Sequence, residues 1–257
     1  MKIAFAGKGG VGKTTLAAWT ADLLARQGKS VWLVDADTAL SLGQASGLAV
    51  GALPQPLILR EDLIRERIGF GVIDLNPTVD DLPEKLCVEL PCEGPGRKRL
   101  LVMGTVTGAG GGCACGPNAL LKALLSHIVL DRDEWVLVDL EAGVEHLGRG
   151  TIQGVDALVV VSEPSHRGLE TAASIGRMAA DLGLENQVLA LNRFAGGEIP
   201  ALPGLPGTVM NLPFMPGLAA KQLADASVLG LPESEQVDRL VMQLLTALAT
   251  GAKAQAA

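Results

Sequence analysis

The sequence predicts an α/β domain in which helices cover both faces of a mostly parallel, twisted β-sheet. Residues 1–6 are apolar and precede a glycine-rich loop and then an apolar pattern at helical spacing. Later runs such as Val31–Asp35 are too continuously apolar for a half-exposed strand, which is typical of parallel strands buried on both faces. Helical patterns separate these runs, and a length of 257 residues suits one domain.

Composition and charge limit the classes of protein to which the chain can belong. Apolar residues make up 48% and charged residues 19%, so a sizeable core can form. The net charge of −7 argues against non-specific nucleic-acid binding, which depends on Lys and Arg. No apolar run reaches the length of a membrane span, and the N-terminus enters a strand without a signal-peptide pattern. We therefore expect a cytoplasmic protein with neither a membrane nor a nucleic acid as partner.

The loop at residues 7–15 reads GKGGVGKTT and matches the phosphate-binding pattern G-x-x-x-x-G-K-[ST] at every position. Its glycines allow backbone N–H groups to turn inward around an anion, and the following helix adds its own N-terminal N–H groups. Lys13 is expected to reach the β- and γ-phosphates, and the Thr14 hydroxyl to ligate Mg²⁺. The alternative is a strand–helix turn without a ligand. The residues predicted to hold nucleotide here are Gly7, Gly9, Gly10, Val11, Gly12, Lys13, Thr14 and Thr15.

Acidic residues lie at the carboxyl ends of two predicted strands. Asp35 and Asp37 stand at the end of Val31–Asp35, and Asp139 stands at the end of Trp135–Asp139. Ligands of open α/β sheets bind at this edge. Acids there can hold the magnesium shell and orient a water molecule for attack on the γ-phosphate. The alternative interpretation is that they are ordinary strand-end aspartates.

The remaining elements follow from the same patterns. Residues 48–62 are expected to form a loop leading into a short helix over Glu61–Arg67, and the region up to Gly96 is expected to be irregular. A helix over Glu233–Thr250 closes a domain that spans residues 1–250, and residues 251–257 are expected to form a flexible tail. The other predicted strands are Arg99–Gly104, Ala157–Ser162, Val188–Arg193 and Val209–Pro213, and the other predicted helices cover about 117–130 and 165–183.

A second glycine-rich loop, residues 108–117, carries Cys113 and Cys115 just before the predicted helix that begins at Pro117. The helix dipole favours the thiolate form of both cysteines, which is the form that binds metals. The C-x-C spacing lets both sulfurs project to one side of an extended segment. The alternative is two ordinary thiols in a flexible loop. The other two cysteines, Cys87 and Cys92, have no assigned role.

A second lysine, Lys8, distinguishes the phosphate-binding loop. The stretch KGGVGKTT at residues 8–15 resembles the deviant Walker A loop of the MinD/ParA group of ATPases. In that group the early lysine reaches across a dimer interface to the partner's nucleotide, so the resemblance implies a homodimer with catalytic roles for Lys8 and Lys13. It also implies that Asp37 orients the attacking water and that Asp139 occupies the Walker B position. The alternative for Lys8 is a solvated loop lysine.

Two further blocks narrow the resemblance to the CooC family, the ATPases that help insert nickel into carbon monoxide dehydrogenase. They are CAC at residues 113–115 and DLEAGVEHLGRGT at residues 139–151. The resemblance implies a Mg²⁺-dependent hydrolysis of ATP to ADP and phosphate, with carbon monoxide dehydrogenase as the client. It also implies that the Gly143 N–H senses the γ-phosphate. The residues it places near the adenine are Asn192, Arg193 and Pro213.

The number of thiols bears on where a metal could bind. One C-x-C supplies two ligands, whereas a closed metal site takes about four. Two copies of Cys113 and Cys115 across a dimer axis would supply four thiolates. Ligand chemistry alone favours Zn²⁺, whereas the family resemblance favours Ni²⁺. We therefore expect nickel at a dimer interface, with zinc as a competitor in vitro.

Two other functions share the same phosphate-binding loop. A positioning ATPase of the MinD/ParA type acts on membrane or DNA, and membrane use needs a basic amphipathic segment, which residues 251–257 do not form. An Fe–S carrier or reductase ATPase would need cluster-binding cysteines at other spacings. Both alternatives stay open at the level of the sequence.

Overall fold

A computed structural model describes residues 1–37, 39–69, 77–104, 120, 123, 134–141 and 154–255. Within these residues one sheet carries strands in the order β3-β4-β2-β5-β1-β6-β7-β8. The strands are β1 Lys2–Ala6, β2 Ser30–Ala36, β3 Val88–Leu90, β4 Arg97–Val102, β5 Glu134–Leu140, β6 Ala157–Ser162, β7 Gln187–Asn192 and β8 Thr208–Leu212. All neighbouring pairs are parallel except β3 and β4. The predicted fold class is confirmed.

Helices alternate with the strands along the chain, as a parallel sheet requires. A 3₁₀ turn at Leu57–Leu59 precedes α3. The helices are α1 Lys13–Arg26, α2 Leu42–Ala45, α3 Glu61–Ile68, α4 Leu82–Leu86, α5 His166–Asp181, α6 Pro216–Lys221 and α7 Ser234–Gln255. No helix among the described residues combines the length and apolar character needed to span a membrane.

The two faces of the sheet belong to two hydrophobic clusters, because side chains alternate along each strand. Ile3 and Phe5 of β1 join the cluster that contains α1 and α7. Ala4 and Ala6 of the same strand join the cluster that contains α5. The central strands are therefore buried on both sides, which explains their continuously apolar sequences.

The region before β4 is more regular than we expected. The stretch predicted to be irregular up to Gly96 contains α4 and the short strand β3. β3 is an antiparallel edge strand with a partner on one side only, and its central Glu89 is exposed. A strand this short and this polar carries no apolar run, so its sequence resembles a loop.

Some predicted boundaries shift and some predictions fall outside the described residues. β4 ends at Val102 rather than at Gly104, and α7 continues past Thr250 to Gln255. The C-x-C loop at 108–117, which carries Cys113 and Cys115, lies outside the described residues. Gly143 also lies outside them. The helix predicted over about 117–130 is described only at residues 120 and 123, both helical.

Candidate nucleotide site

The loop between β1 and α1 passes so close to β6 that its first residue must be glycine. A Cβ added to Gly7 would lie 2.1 Å from the carbonyl oxygen of Val161. Gly12 has a φ of 104°, a left-handed conformation that favours glycine, and it caps α1 without a side-chain hydrogen bond. The backbone of the phosphate-binding loop is thus shaped by the neighbouring strand as well as by its own glycines.

The start of α1 carries a buried cation. Its first turn contains no acidic residue, and it begins with Lys13, which is only 4% exposed. The Lys13 ammonium donates to the carbonyl oxygen of Lys8 at 3.3 Å and lies 3.7 Å from the carboxylate of Asp37. A buried cation beside helix N–H groups is suited to hold a polyphosphate. Lys8 itself exposes its side chain.

Two carboxylates that are distant in the sequence meet at the ends of adjacent strands. The β2–β5 register places Asp35 opposite Asp139, and both are fully buried. The Thr14 hydroxyl donates to Asp139 Oδ2 at 2.6 Å. Asp35 accepts hydrogen bonds from the backbone N–H groups of Leu42 at 3.0 Å and Asp37 at 3.3 Å. The strand ends therefore join α1 to the segment that follows β2.

Burial controls the protonation of both acids. Burial raises the pKa of Asp139 to about 7. The hydrogen bond from the Thr14 hydroxyl lowers this pKa, and the negative charge of Asp35 raises it further. Burial also raises the pKa of Asp35 to about 6, and the hydrogen bonds that its carboxylate accepts from two backbone N–H groups oppose that shift. A nearby cation would favour the ionised form of both.

The donor set at this point fits a magnesium ion. Asp139 Oδ1 is buried and has no hydrogen-bond partner among the described residues. A buried oxygen without a partner is costly unless an ion or a water satisfies it. The neighbouring ligands, the Thr14 hydroxyl and the carboxylates, are the hard oxygen donors that Mg²⁺ prefers.

A cavity of about 280 Å³ opens beside the start of α1. Asn192 lies between this cavity and the loop, and its amide donates to the carbonyl oxygen of Val11 at 2.7 Å. Arg193, next to it, adopts a φ of 58°, a backbone conformation that non-glycine residues seldom take. The other lining residues are Gly10, Gly12, Lys13, Thr14, Thr15, Leu16, Trp19, Asp37, Ser41, Leu212, Pro213, Phe214, Met215, Leu218, Ala219 and Gln222.

The structure places nine of the predicted site residues around one cavity: Gly10, Gly12, Lys13, Thr14, Thr15, Asp37, Asn192, Arg193 and Pro213. The other predicted site residues that the structure describes do not belong to its lining: Gly7, Lys8, Gly9, Val11, Asp35 and Asp139. Sequence reasoning missed Trp19, and residues 214–222, which follow the predicted Pro213, form the outer wall of the cavity. Trp19 follows Thr15 by four residues and so shares its face of α1, a signal that could have identified it.

Cys87 and Cys92 stand at opposite ends of β3 and are free thiols. Burial raises the pKa of Cys87 to about 12, so this thiol is not a ready metal ligand. No group of three or more His, Cys, Asp or Glu side chains suited to a metal occurs within the described part of the chain.

Comparisons with known proteins identify relatives among nucleotide-binding proteins. Residues 2–202 match the family model described as the CobQ/CobB/MinD/ParA nucleotide binding domain. The carbon monoxide dehydrogenase accessory protein CooC of Rhodospirillum rubrum is 45% identical over 202 residues, which cover 76% of this chain and 75% of that protein. An uncharacterised ATP-binding protein of Methanocaldococcus jannaschii is 42% identical over 199 residues, 75% of each chain.

Solved structures with similar folds come from the same group of proteins. A ParA family ATPase from Chlorobium tepidum superimposes with a TM-score of 0.67 at 18% identity, covering 96% of this chain and 97% of that one. The MinD cell division protein of Aquifex aeolicus gives a TM-score of 0.66 at 22% identity, with 95% and 96% covered. At these identities the likeness establishes the fold alone.

Proposed function

The chain belongs to the CobQ/CobB/MinD/ParA nucleotide-binding family as a CooC-type ATPase, and from that premise we propose that it handles nickel during the maturation of carbon monoxide dehydrogenase. One observation carries the proposal: the 45% identity with a carbon monoxide dehydrogenase accessory protein extends over three quarters of both chains. The C-x-C at Cys113 and Cys115 supplies two thiols that could bind a metal, and the choice of nickel follows from the likeness to the accessory protein.

The described residues support a mechanism for ATP hydrolysis. The buried Lys13 ammonium and the N-terminus of α1 would hold the β- and γ-phosphates. Asp37, whose carboxylate lies 3.7 Å from that ammonium, would orient a water molecule near the γ-phosphate. Catalysis in this reaction class comes from positioning and charge stabilisation, which Asp37 and Lys13 would supply respectively.

Magnesium would be held by the Thr14 hydroxyl, with the Asp139 and Asp35 carboxylates around it. When bound, it neutralises charge on the β- and γ-phosphate oxygens. The Asp139 side chain orients the Thr14 hydroxyl through its 2.6 Å hydrogen bond. Asn192, Arg193 and Pro213 line the same cavity, and we place the adenine beside them.

Nickel is proposed as cargo rather than as a resident cofactor, bound between two copies of the chain. Four thiolates from Cys113 and Cys115 of both protomers would form the site, and Zn²⁺ would compete for it in vitro. The exposed Lys8 would reach the partner's nucleotide, so that ATP controls how the protomers meet. Thiolates that converge in one nucleotide state would bind the metal, and their separation would release it. We place the protein in the cytoplasm, with its client enzyme as partner and no membrane or nucleic acid.

Anaerobic sedimentation with and without stoichiometric Ni²⁺ tests this proposal in the apo, ADP and ATP states. We expect one nickel per dimer and a metal-dependent shift of the monomer–dimer equilibrium, because linkage makes the coupling reciprocal. Replacing Cys113 and Cys115 by Ala should abolish the metal and leave ATP binding intact. The matched control replaces Cys87 and Cys92 by Ala and should keep the metal.

Other outcomes would contradict specific parts of the proposal. One nickel per monomer, or binding that leaves association unchanged, would refute the interface site. A visible absorption spectrum typical of an Fe–S cluster would favour a carrier or reductase instead. The client is tested by activating nickel-free carbon monoxide dehydrogenase at limiting nickel, where ATP and both C-x-C thiols should be required.

A further inference from the structure

Residues 213–231, called here the wall segment, lie between β8 and α7, and the part of this segment up to Gln222 forms the outer wall of the cavity. Its helix α6 has no buried residue, and the segment exposes Phe214 and Leu223 to 59% and 91%. Met215 and Val228 are nevertheless buried in the hydrophobic core, so apolar packing holds the wall segment at these two points. Polar contacts add to that packing.

One polar anchor is a tryptophan on the helix that carries the phosphate-binding residues. Trp19 donates from its indole Nε1 to the carbonyl oxygen of Val228 at 2.8 Å, and this contact is buried. The Val228 N–H in turn donates to the carbonyl oxygen of Ala45 in α2 at 3.0 Å. One residue of the wall segment is thus tied both to α1 and to the region that follows Asp35.

The second polar anchor lies at the other end of α6. Glu233, just before α7, accepts the backbone N–H of Gly217 at 2.7 Å and so caps the start of α6. The side chain packs closely there, because a Cβ on Gly217 would lie 2.1 Å from Glu233 Oε2. The two anchors hold the wall segment on either side of its exposed stretch.

We propose that Trp19 and Glu233 are positioning residues, which hold the wall segment where it contacts the base and ribose of the bound nucleotide. Trp19 also lines the cavity, one helical turn beyond Thr15 on the same face of α1. Loss of either anchor weakens binding of the nucleoside end of ATP and spares the phosphate end, which the loop and Lys13 hold. The inference depends on the proposed placement of adenine in this cavity.

Calorimetric titration with ATP and with inorganic tripolyphosphate separates the two ends of the nucleotide. For Trp19→Phe and for Glu233→Ala we expect ATP affinity to fall about 5-fold, the effect of one lost hydrogen bond, and tripolyphosphate affinity to stay unchanged. Glu233→Gln keeps the acceptor and should bind ATP like the wild type. Lys13→Ala, the control for the phosphate end, should lose affinity for both compounds.

Trp32→Phe is the matched control for Trp19→Phe. Trp32 is equally buried, but its Nε1 has no acceptor among the described residues, and its ring stacks under the Arg99 guanidinium on the other face of the sheet. The Trp32→Phe variant should bind ATP and tripolyphosphate like the wild type. If Trp19→Phe and Glu233→Ala both bind ATP normally, or lose both compounds equally, the positioning role is wrong. Wild-type protein that binds tripolyphosphate and ATP equally well would instead overturn the placement of adenine.

Fluorescence gives a readout that a purely structural role would not produce. The chain has three tryptophans, and replacing Trp32 and Trp135 by Phe leaves Trp19 as the only reporter. ATP should shift the emission of Trp19, and tripolyphosphate should leave it unchanged. If bound ATP leaves the emission of Trp19 unchanged, the nucleoside does not contact the wall segment.

Discussion

At the scale of single residues, the buried pair Asp35 and Asp139 makes the stability of the fold depend on pH. Both carboxyl groups lie in the core beside each other, and burial raises the pKa of each. A raised pKa means that the folded protein holds the proton more tightly than the unfolded chain, whose aspartates titrate near pH ~4. The free energy of unfolding therefore falls as the pH rises from about 4 through the folded pKa of about 7.

Asp139→Asn should remove most of this pH dependence. The amide keeps an acceptor for the Thr14 hydroxyl and has no charge to bury. Without Mg²⁺ or nucleotide, we expect a melting temperature at least about 2 °C above wild type at pH 8 and a clearly smaller excess over wild type at pH 5. Asp225→Asn is the control, because Asp225 is exposed and pairs with Lys221. Equal effects of Asp139→Asn at both pH values would contradict the assigned protonation.

Asp37→Asn should separate binding from hydrolysis. The variant keeps the size of the side chain but weakens its ability to orient a water molecule, so turnover should drop at least about 100-fold. The affinity for Mg-ATP should change little, because Lys13 and the loop backbone hold the phosphates. Single-turnover hydrolysis and equilibrium binding measure the two effects. Wild-type turnover would move the water-orienting role to another residue.

At the scale of elements, a buried ion pair fastens the edge of the sheet to the helix of the phosphate-binding loop. Lys98 of β4 is 1% exposed and donates to Asp22 of α1 at 3.0 Å. Asp22 also accepts from Arg26 at 2.9 Å, and Arg26 donates to Asp238 of α7 at 2.9 Å. This series of contacts joins three elements. The free energy of unfolding that is lost depends on which member of the series is removed.

Asp22→Ala and Lys98→Met should therefore have unequal effects. Removing Asp22 leaves a buried ammonium without its partner and should cost about 3 kcal/mol of unfolding free energy. Lys98→Met buries an apolar chain of similar length and leaves Asp22 paired with Arg26, so it should cost about 1 kcal/mol or less. Urea unfolding of both variants provides the comparison. Equal losses would show that the ammonium is not desolvated.

At the scale of the whole molecule, the exposed Lys8 is the described residue that best distinguishes a dimeric mechanism from a monomeric one. Lys8→Ala should bind ATP as a monomer but fail to form the ATP dimer, and turnover should fall with it. Sedimentation velocity with ATP measures the association. Lys85→Ala is the control, because Lys85 is also exposed, pairs with Asp81 and is distant in sequence from the phosphate-binding loop. This variant should dimerise normally. A normal ATP dimer of the Lys8 variant with normal hydrolysis would refute a role across the interface.

The sequence alone determined the features that depend on neighbours along the chain. The phosphate-binding loop, with Lys13 and Thr14 at the start of α1, was predictable because loop and helix geometry follow from local backbone preferences. The central strands were predictable because burial on both faces requires continuous apolar runs. The short polar edge strand β3 was not, because a strand with one neighbour needs no such pattern.

Only the tertiary structure decided which distant residues meet. Strand register placed Asp35 opposite Asp139, and the packing of β7 beside the loop brought the Asn192 amide to the carbonyl oxygen of Val11. The bond from Trp19 to Val228 spans most of the chain and has no trace in local pattern. Such contacts depend on the order of strands in the sheet and on loop closure, which no short stretch of sequence encodes.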